Sequence, residues 1–194
     1  MNIILASSSP RRQELMSLMG WDFTIEPSSA PEEHISGETP EDMVCRLAES
    51  KAFEVFSRNR GSWVVGADTV VAVDGEVFGK PACADDALKM LTRLQGRSHN
   101  VITGVALFSP GGDRLVSFES TEVVFRTMTS DELAAYVSAG ESSDKAGAYA
   151  IQGKGALLVE RICGCYFNVV GLPLQLLSSM FSDLGWPLSA QWRK

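Results

Sequence analysis

The run Trp63–Val73 is apolar on both of its alternating faces, broken only by Gly66, Asp68 and Thr69. A strand with one wet face alternates polar and apolar residues, so an unalternating run predicts a central strand covered on both sides. Such a strand needs helices to cover it, and helical and strand patterns interleave on either side of it, which gives an α/β fold. A chain of 194 residues can bury a sizeable core as one compact domain or two intimately packed lobes, and a single domain over 1–194 is expected. With 45% hydrophobic and 21% charged residues the composition excludes a disordered chain.

Around this strand the order of elements is legible. Asn2–Ala6 predicts a short buried strand, and Arg11–Met19 a helix carrying Leu15, Leu18 and Met19 at helical spacing. Ser9 is placed to cap that helix and Pro10 to open it, where a missing N–H costs nothing. Trp21–Ile25 predicts a strand, Pro27–Gly37 a polar loop, and Thr39-Pro40-Glu41-Asp42 the start of a helix reaching about Arg58. Asp74-Gly75 signals a hairpin returning through Glu76–Phe78. Asp85–Leu94 reads as an amphipathic helix with Leu88 and Leu91 inward. Strands are expected at Asn100–Phe108 and Leu115–Arg126, joined by a turn at Pro110-Gly111-Gly112. Thr129-Ser130-Asp131-Glu132 fits a capping box opening a helix to about Ser138. Strands near Ala156–Arg161 and Tyr166–Val170, then a helix from Pro173, complete the chain.

Charge and composition narrow the function classes. A net charge of −7 counts against nucleic acid and anionic membranes as broad partners, but not against a small anionic ligand that responds to local charge. The longest apolar runs fall far short of the roughly 20 residues of a membrane span, and no basic-then-apolar opening marks a secretory signal. A cytoplasmic protein is expected, with Cys45, Cys83, Cys163 and Cys165 as buried thiols rather than disulfides. Cys163-Gly-Cys165 is a lone C-x-C, and neither His34 nor His99 stands at zinc-like spacing from a cysteine.

Several residues need explaining. Arg11 and Arg12 sit in the first turn of a predicted helix, against the macrodipole. With Ser7, Ser8 and Ser9 before them they make a phosphate site, or else they are solvated surface residues. Lys51 falls inside the apolar stripe Val44, Leu47, Ala48 and Val55, so it either snorkels to water or meets an anion. Asp68 interrupts the apolar strand and must meet a cation, hydrogen-bond donors or a metal. The small Gly66 and Ala67 beside it favour a functional role, because they let something approach the backbone. Lys80 follows Gly79 and precedes Pro81 on a constrained turn. The stretch superficially resembles a P-loop, but it lacks one residue between the glycines and a Ser or Thr after the lysine. Glu32 and Glu33 are solvated acids unless their loop folds back towards Asp68, in which case they become metal candidates. The loop Asp144–Gly153 is rich in small residues, and Gln152 offers it both a donor and an acceptor for a flat ligand. An ordinary connection is the plainer reading of that loop.

Taken together, these blocks resemble the Maf family of nucleoside triphosphate pyrophosphatases. The matching pieces are Leu5-Ala6-Ser7-Ser8-Ser9-Pro10-Arg11-Arg12, Arg46-Leu47-Ala48 with Lys51-Ala52, Gly66-Ala67-Asp68-Thr69, Gly79-Lys80-Pro81, Asp144 to Gly153, and Val170-Gly171-Leu172-Pro173. They occur in family order across nearly the whole chain. The resemblance implies a mixed, elongated sheet flanked by helices, with two lobes around a cleft, as in inosine triphosphate pyrophosphatases. It implies hydrolysis of a nucleoside triphosphate to the monophosphate and pyrophosphate with a divalent cation, Mg2+ or Mn2+. It makes Asp68 the catalytic proton acceptor, with Arg11, Thr69 and Gln152 selecting the base in the manner of the subfamily acting on dTTP and UTP. Ser7, Arg12, Lys51 and Lys80 are expected on phosphate, and Glu32 with Asp68 on metal. A house-cleaning role in nucleotide metabolism and a homodimer are implied as well. Two rivals stand beside this reading: a nucleotide-sensing regulator of septum formation, and a pyrophosphatase for another nucleotide such as 7-methyl-GTP.

Overall fold

A computed structural model describes residues 2–33, 35–143 and 145–193; His34 and Asp144 lie outside the described residues. The elements are β1 (Ile3–Leu5), α1 (Pro10–Leu18), β2 (Phe23–Ile25), α2 (Pro40–Arg58), β3 (Trp63–Val73), β4 (Glu76–Phe78), α3 (Ala84–Leu94) and β5 (Ser98–Phe108). They continue with β6 (Arg114–Phe125), α4 (Ser130–Ser138), β7 (Val159–Cys163), α5 (Tyr166–Val170), α6 (Leu174–Asp183) and α7 (Leu188–Gln191). Short 3-10 turns occupy Ala146–Ala148 and Gly153–Leu158. The seven strands form one mixed sheet in the order β2-β1-β3-β5-β6-β7, with β4 paired to β3. β1 runs parallel to both β2 and β3, and β3 turns back antiparallel into β4. The expected α/β class with a helix-flanked mixed sheet is what the chain adopts. No helix among the described residues is long and apolar enough to cross a membrane.

The residues divide into two compact units: 2–68, 103–119 and 171–193 form the first, and 69–102 with 120–170 the second. In the first, Thr39 caps α2 by accepting from the Asp42 N–H, and Glu41 and Asp42 complement the helix N-terminus. The stripe Val44, Leu47, Ala48 and Val55 is buried as its spacing predicts. Its members Ala48 and Val55 pack with Ala52 and Phe56 on Ile4, Ala6, Val64, Ala106 and Phe108, each large apolar side chain contributing about 1.5–3 kcal/mol by leaving water. Glycine makes this contact close. A Cβ added at Gly66 on β3 would lie 2.4 Å from the Ala48 carbonyl oxygen, and one at Gly104 on β5 would lie 2.3 Å from that of Val44. What approaches the backbone at Gly66 is therefore α2 itself.

The second unit closes around Val71, Val73, Phe78, Leu91, Leu94, Val101, Phe125 and Tyr149. The Asp74-Gly75 hairpin forms with both residues at positive φ, 52° and 77°, and the Thr129–Glu132 capping box is complete.

Some expectations are corrected. Leu18 is 68% exposed while Met16 is fully buried, so α1 is rotated from the predicted face. Ser9 holds the N-cap position of α1 without a side-chain cap; its N–H donates instead to Ser7 Oγ. Ala156–Leu158 belongs to a 3-10 turn, and the strand begins only at Val159. Tyr166–Val170 is a helix rather than a strand. Its aromatic and β-branched composition favours strand, but Asn168 is fully buried and donates to the Val101 carbonyl at 2.8 Å and to Thr121 Oγ1 at 2.9 Å, and those bonds decide the local backbone. The cysteines are free, but Cys83 and Cys163 are exposed and Cys45 and Cys165 only half-buried.

Candidate active site

The close seat of α2 on β3 puts a charged pair where the strand is otherwise apolar. Ala48 and Ala52 face Gly66, and Asp68 lies two residues further along the same face of the strand. Lys51, on that side of α2, reaches across, and its Nζ donates to Asp68 Oδ1 at 2.6 Å. Both side chains are 12% exposed. The same Nζ lies 2.6 Å from Glu32 Oε1. The polar loop thus folds back towards Asp68, and Lys51 meets anions rather than snorkelling to water.

Arg12 completes the centre. Its Nε donates to the Gly171 carbonyl at 2.8 Å and its Nη1 to Ser7 Oγ at 3.4 Å. Burial pulls the guanidinium pKa down, while the negative charges of Asp68 and Glu32 push it up. These two acids offset the cost of placing the Arg12 charge at a helix N-terminus. Ser7 is buried, and Arg11 is half-buried in the same turn.

Arg46 and Glu38 were not singled out as site residues, although Arg46 lies in one of the family blocks. Arg46 grips the Glu38 carboxylate with two bonds, Nε to Oε1 at 2.7 Å and Nη2 to Oε2 at 2.6 Å. Nη2 also donates to the Glu33 carbonyl at 3.0 Å. Donation to the Glu38 carboxylate is the main cause that raises the Arg46 pKa. A glutamate eight residues before a helical arginine was the available signal, but only the loop's conformation brings them together.

The other expected residues belong to the second unit. Thr69 follows Asp68 along β3 and is half-buried; Lys80 is exposed, next to Gly79, whose carbonyl accepts from the Gly147 N–H at 3.0 Å. Gln152 is half-buried in extended backbone at the start of the 3-10 turn. Two glycines, one before and one after Gln152, pack closely against the protein's own atoms. A Cβ on Gly147 would meet Val71 Cγ2 at 2.9 Å, and one on Gly155 would lie 2.0 Å from the Ala150 carbonyl oxygen. Tyr149 is buried with its Oη 2.7 Å from His99 Nε2, and burial holds the imidazole neutral by lowering its pKa to about 4.

Asp68 and Glu32 each place one oxygen against a single cationic nitrogen, so two carboxylates converge on one point. Mg2+ takes one or two carboxylates and completes its shell with water and phosphate oxygens. These residues fit a divalent cation of that kind, the Lys51 ammonium standing in for it. Among the described residues no group of three or more His, Cys, Asp or Glu could hold a metal ion.

Fold and site define an α/β protein with a carboxylate–ammonium–carboxylate centre backed by the half-buried Arg12 guanidinium. A family model described as Maf-like protein matches residues 2–184, and the chain belongs to that family. It is 50% identical over 173 residues to the dTTP/UTP pyrophosphatase of Geobacter metallireducens, covering 89% of this chain and 90% of that relative. It is 48% identical over 186 residues to the dTTP/UTP pyrophosphatase of Symbiobacterium thermophilum, covering 96% and 95%. Among solved structures, the Ham1 protein of Staphylococcus aureus aligns with a TM-score of 0.46 at 13% identity, covering 82% of this chain and 80% of that one.

Proposed function

We propose that this chain hydrolyses dTTP and UTP to the monophosphate and pyrophosphate, with Mg2+ or Mn2+, as a cytoplasmic homodimer. The carrying observation is Lys51 held between Asp68 and Glu32, with Arg12 anchored through Ser7 and Gly171. Its support is a set of relatives of that printed name that align across nearly the whole chain.

Asp68 accepts the proton of a water whose oxygen attacks the α-phosphorus. The bond from that phosphorus to the oxygen bridging to the β-phosphorus breaks, and pyrophosphate leaves with the electron pair. Arg12 and Lys51 balance the charge that grows on the leaving group, and Arg12, anchored in advance through Ser7 and Gly171, needs little reorganisation during the reaction. A divalent cation, when held by Asp68 and Glu32, supplies further neutralisation of the triphosphate. On this reading Lys51 exchanges its carboxylate partners for phosphate oxygens. Lys80 takes its phosphate role, and Arg11, Thr69 and Gln152 their base-selecting roles, from the family resemblance.

Pyrophosphate release from dTTP, UTP, CTP and the purine triphosphates, with and without Mg2+ or Mn2+, tests the reading. Metal-dependent release from dTTP and UTP, with the monophosphate as co-product, is expected. Activity confined to a purine would keep the reaction and overturn the base assignment. No release by the folded protein would overturn the enzyme reading in favour of nucleotide sensing.

A further inference from the structure

We infer that Arg46 is a positioning residue for the reaction: through Glu38 and the Glu33 carbonyl it fixes the backbone that presents Glu32 to Lys51 and Asp68. The inference rests on the proposed pyrophosphatase reading, in which Glu32 serves the reacting centre.

Glu32 sits in a segment with no regular secondary structure, between β2 and α2. Its side chain is 58% exposed, so its attraction to Lys51 is screened by water and cannot by itself hold the carboxylate in place. The backbone must do so. One residue on, the Glu33 carbonyl accepts from Arg46 Nη2. Further along, the Glu38 carboxylate, only 12% exposed, is held bidentate by the same guanidinium. Two points of one loop are therefore tied to one rigid fork on α2, the helix that also carries Lys51. Fork-to-carboxylate pairs fix orientation as well as distance. Lysine carries the charge but cannot make both contacts in that plane. Arg46 thus sets Glu32 and Lys51 in a common frame, and loss of it should matter through Glu32.

A double-mutant cycle on pyrophosphate release from dTTP with Mg2+ tests this, using Arg46→Ala, Glu32→Gln and the pair, with Arg46→Lys alongside. Digestion of each folded variant by an endoprotease that cuts after glutamate runs in parallel. Arg46→Ala is expected to lower kcat about tenfold, the lower end of what loss of an outer supporting contact costs, with KM for dTTP changed less than about twofold. In the Glu32→Gln background the same substitution should cost less than about twofold. Arg46→Lys should recover only part of kcat. Cleavage within residues 26–38 should quicken several-fold in Arg46→Ala. Equal losses in both backgrounds, full rescue by lysine, or unchanged kcat in Arg46→Ala would each overturn the inference. If the wild type releases no pyrophosphate, the functional reading fails. The digestion then decides the positioning claim alone, and an unchanged cleavage rate in Arg46→Ala overturns it.

Discussion

The two units solve the burial of polar groups in opposite ways. In the first, small residues let a helix lie almost on the strand backbone, and the space at the end of that contact holds an ion pair, Lys51 with Asp68. In the second, bulky rings fill the interior. His99 sits edge-on to Phe125 and Tyr149, with ring centroids 4.8 and 5.4 Å away, and its imidazole stays neutral. Close backbone packing preserves charge by supplying a counter-charge at fixed distance, whereas aromatic packing removes charge by desolvation. The ion pair accordingly sits on the glycine-and-alanine contact, while the buried titratable group of the aromatic core is neutral.

Four substitutions break or sharpen this contrast. Asp68→Asn should have the largest effect, a fall in kcat of about 10²–10⁴ as expected for loss of a general base, with the fold intact by circular dichroism. Turnover near the wild-type value would remove Asp68 from the chemistry.

In the second unit the effect should fall on stability. The His99 pKa drops on folding from its ordinary 6.5 to about 4, so between those values the unfolded chain binds more protons. Stability should therefore be complete above about pH 6.5 and decline as the pH falls to about 4, by at most about 3 kcal/mol. Urea denaturation across that range should show the slope in the wild type and its loss in His99→Gln.

Gly66→Ala tests the close contact itself. The added Cβ would collide with the Ala48 carbonyl and with Ala52, so a destabilisation of about 1–3 kcal/mol is expected. Because the shift separates α2 from β3, kcat should fall beyond what the lost stability explains at a temperature where the variant is fully folded. Smallest of all, Gln152→Glu should change the ratio of dTTP to purine hydrolysis by about tenfold, about 1.4 kcal/mol, while leaving the urea midpoint alone. An unchanged ratio would remove Gln152 from base recognition.

What the chain disclosed in advance was mostly local. Trp63–Val73, the Asp74-Gly75 turn, the Thr39 and Thr129 caps and the stripe on α2 depend on neighbours within a few residues, and all formed as read. Lys51 and Asp68 were legible for the converse reason: each violates its local pattern, and the violation pointed to a partner. The misreadings depended on distant atoms. Tyr166–Val170 folds as a helix because of bonds from Asn168 to residues 67 and 47 positions away. The exposed side of α1 was set by packing that its own spacing did not reveal. Arg46 escaped notice as a site residue because an arginine near glutamates is ordinary on a helix surface.

The first unit is assembled from three separate stretches of chain, and Arg12 is held by the carbonyl of a residue 159 positions later. During synthesis, then, the opening strand and helix leave the ribosome long before the residue that anchors their guanidinium exists. Lys51, Asp68 and Glu32 can meet early, but the guanidinium of Arg12 cannot be seated until translation has passed Gly171. The charge centre is among the last features to be completed, and contacts so distant in sequence place this protein among the slower folders for its size.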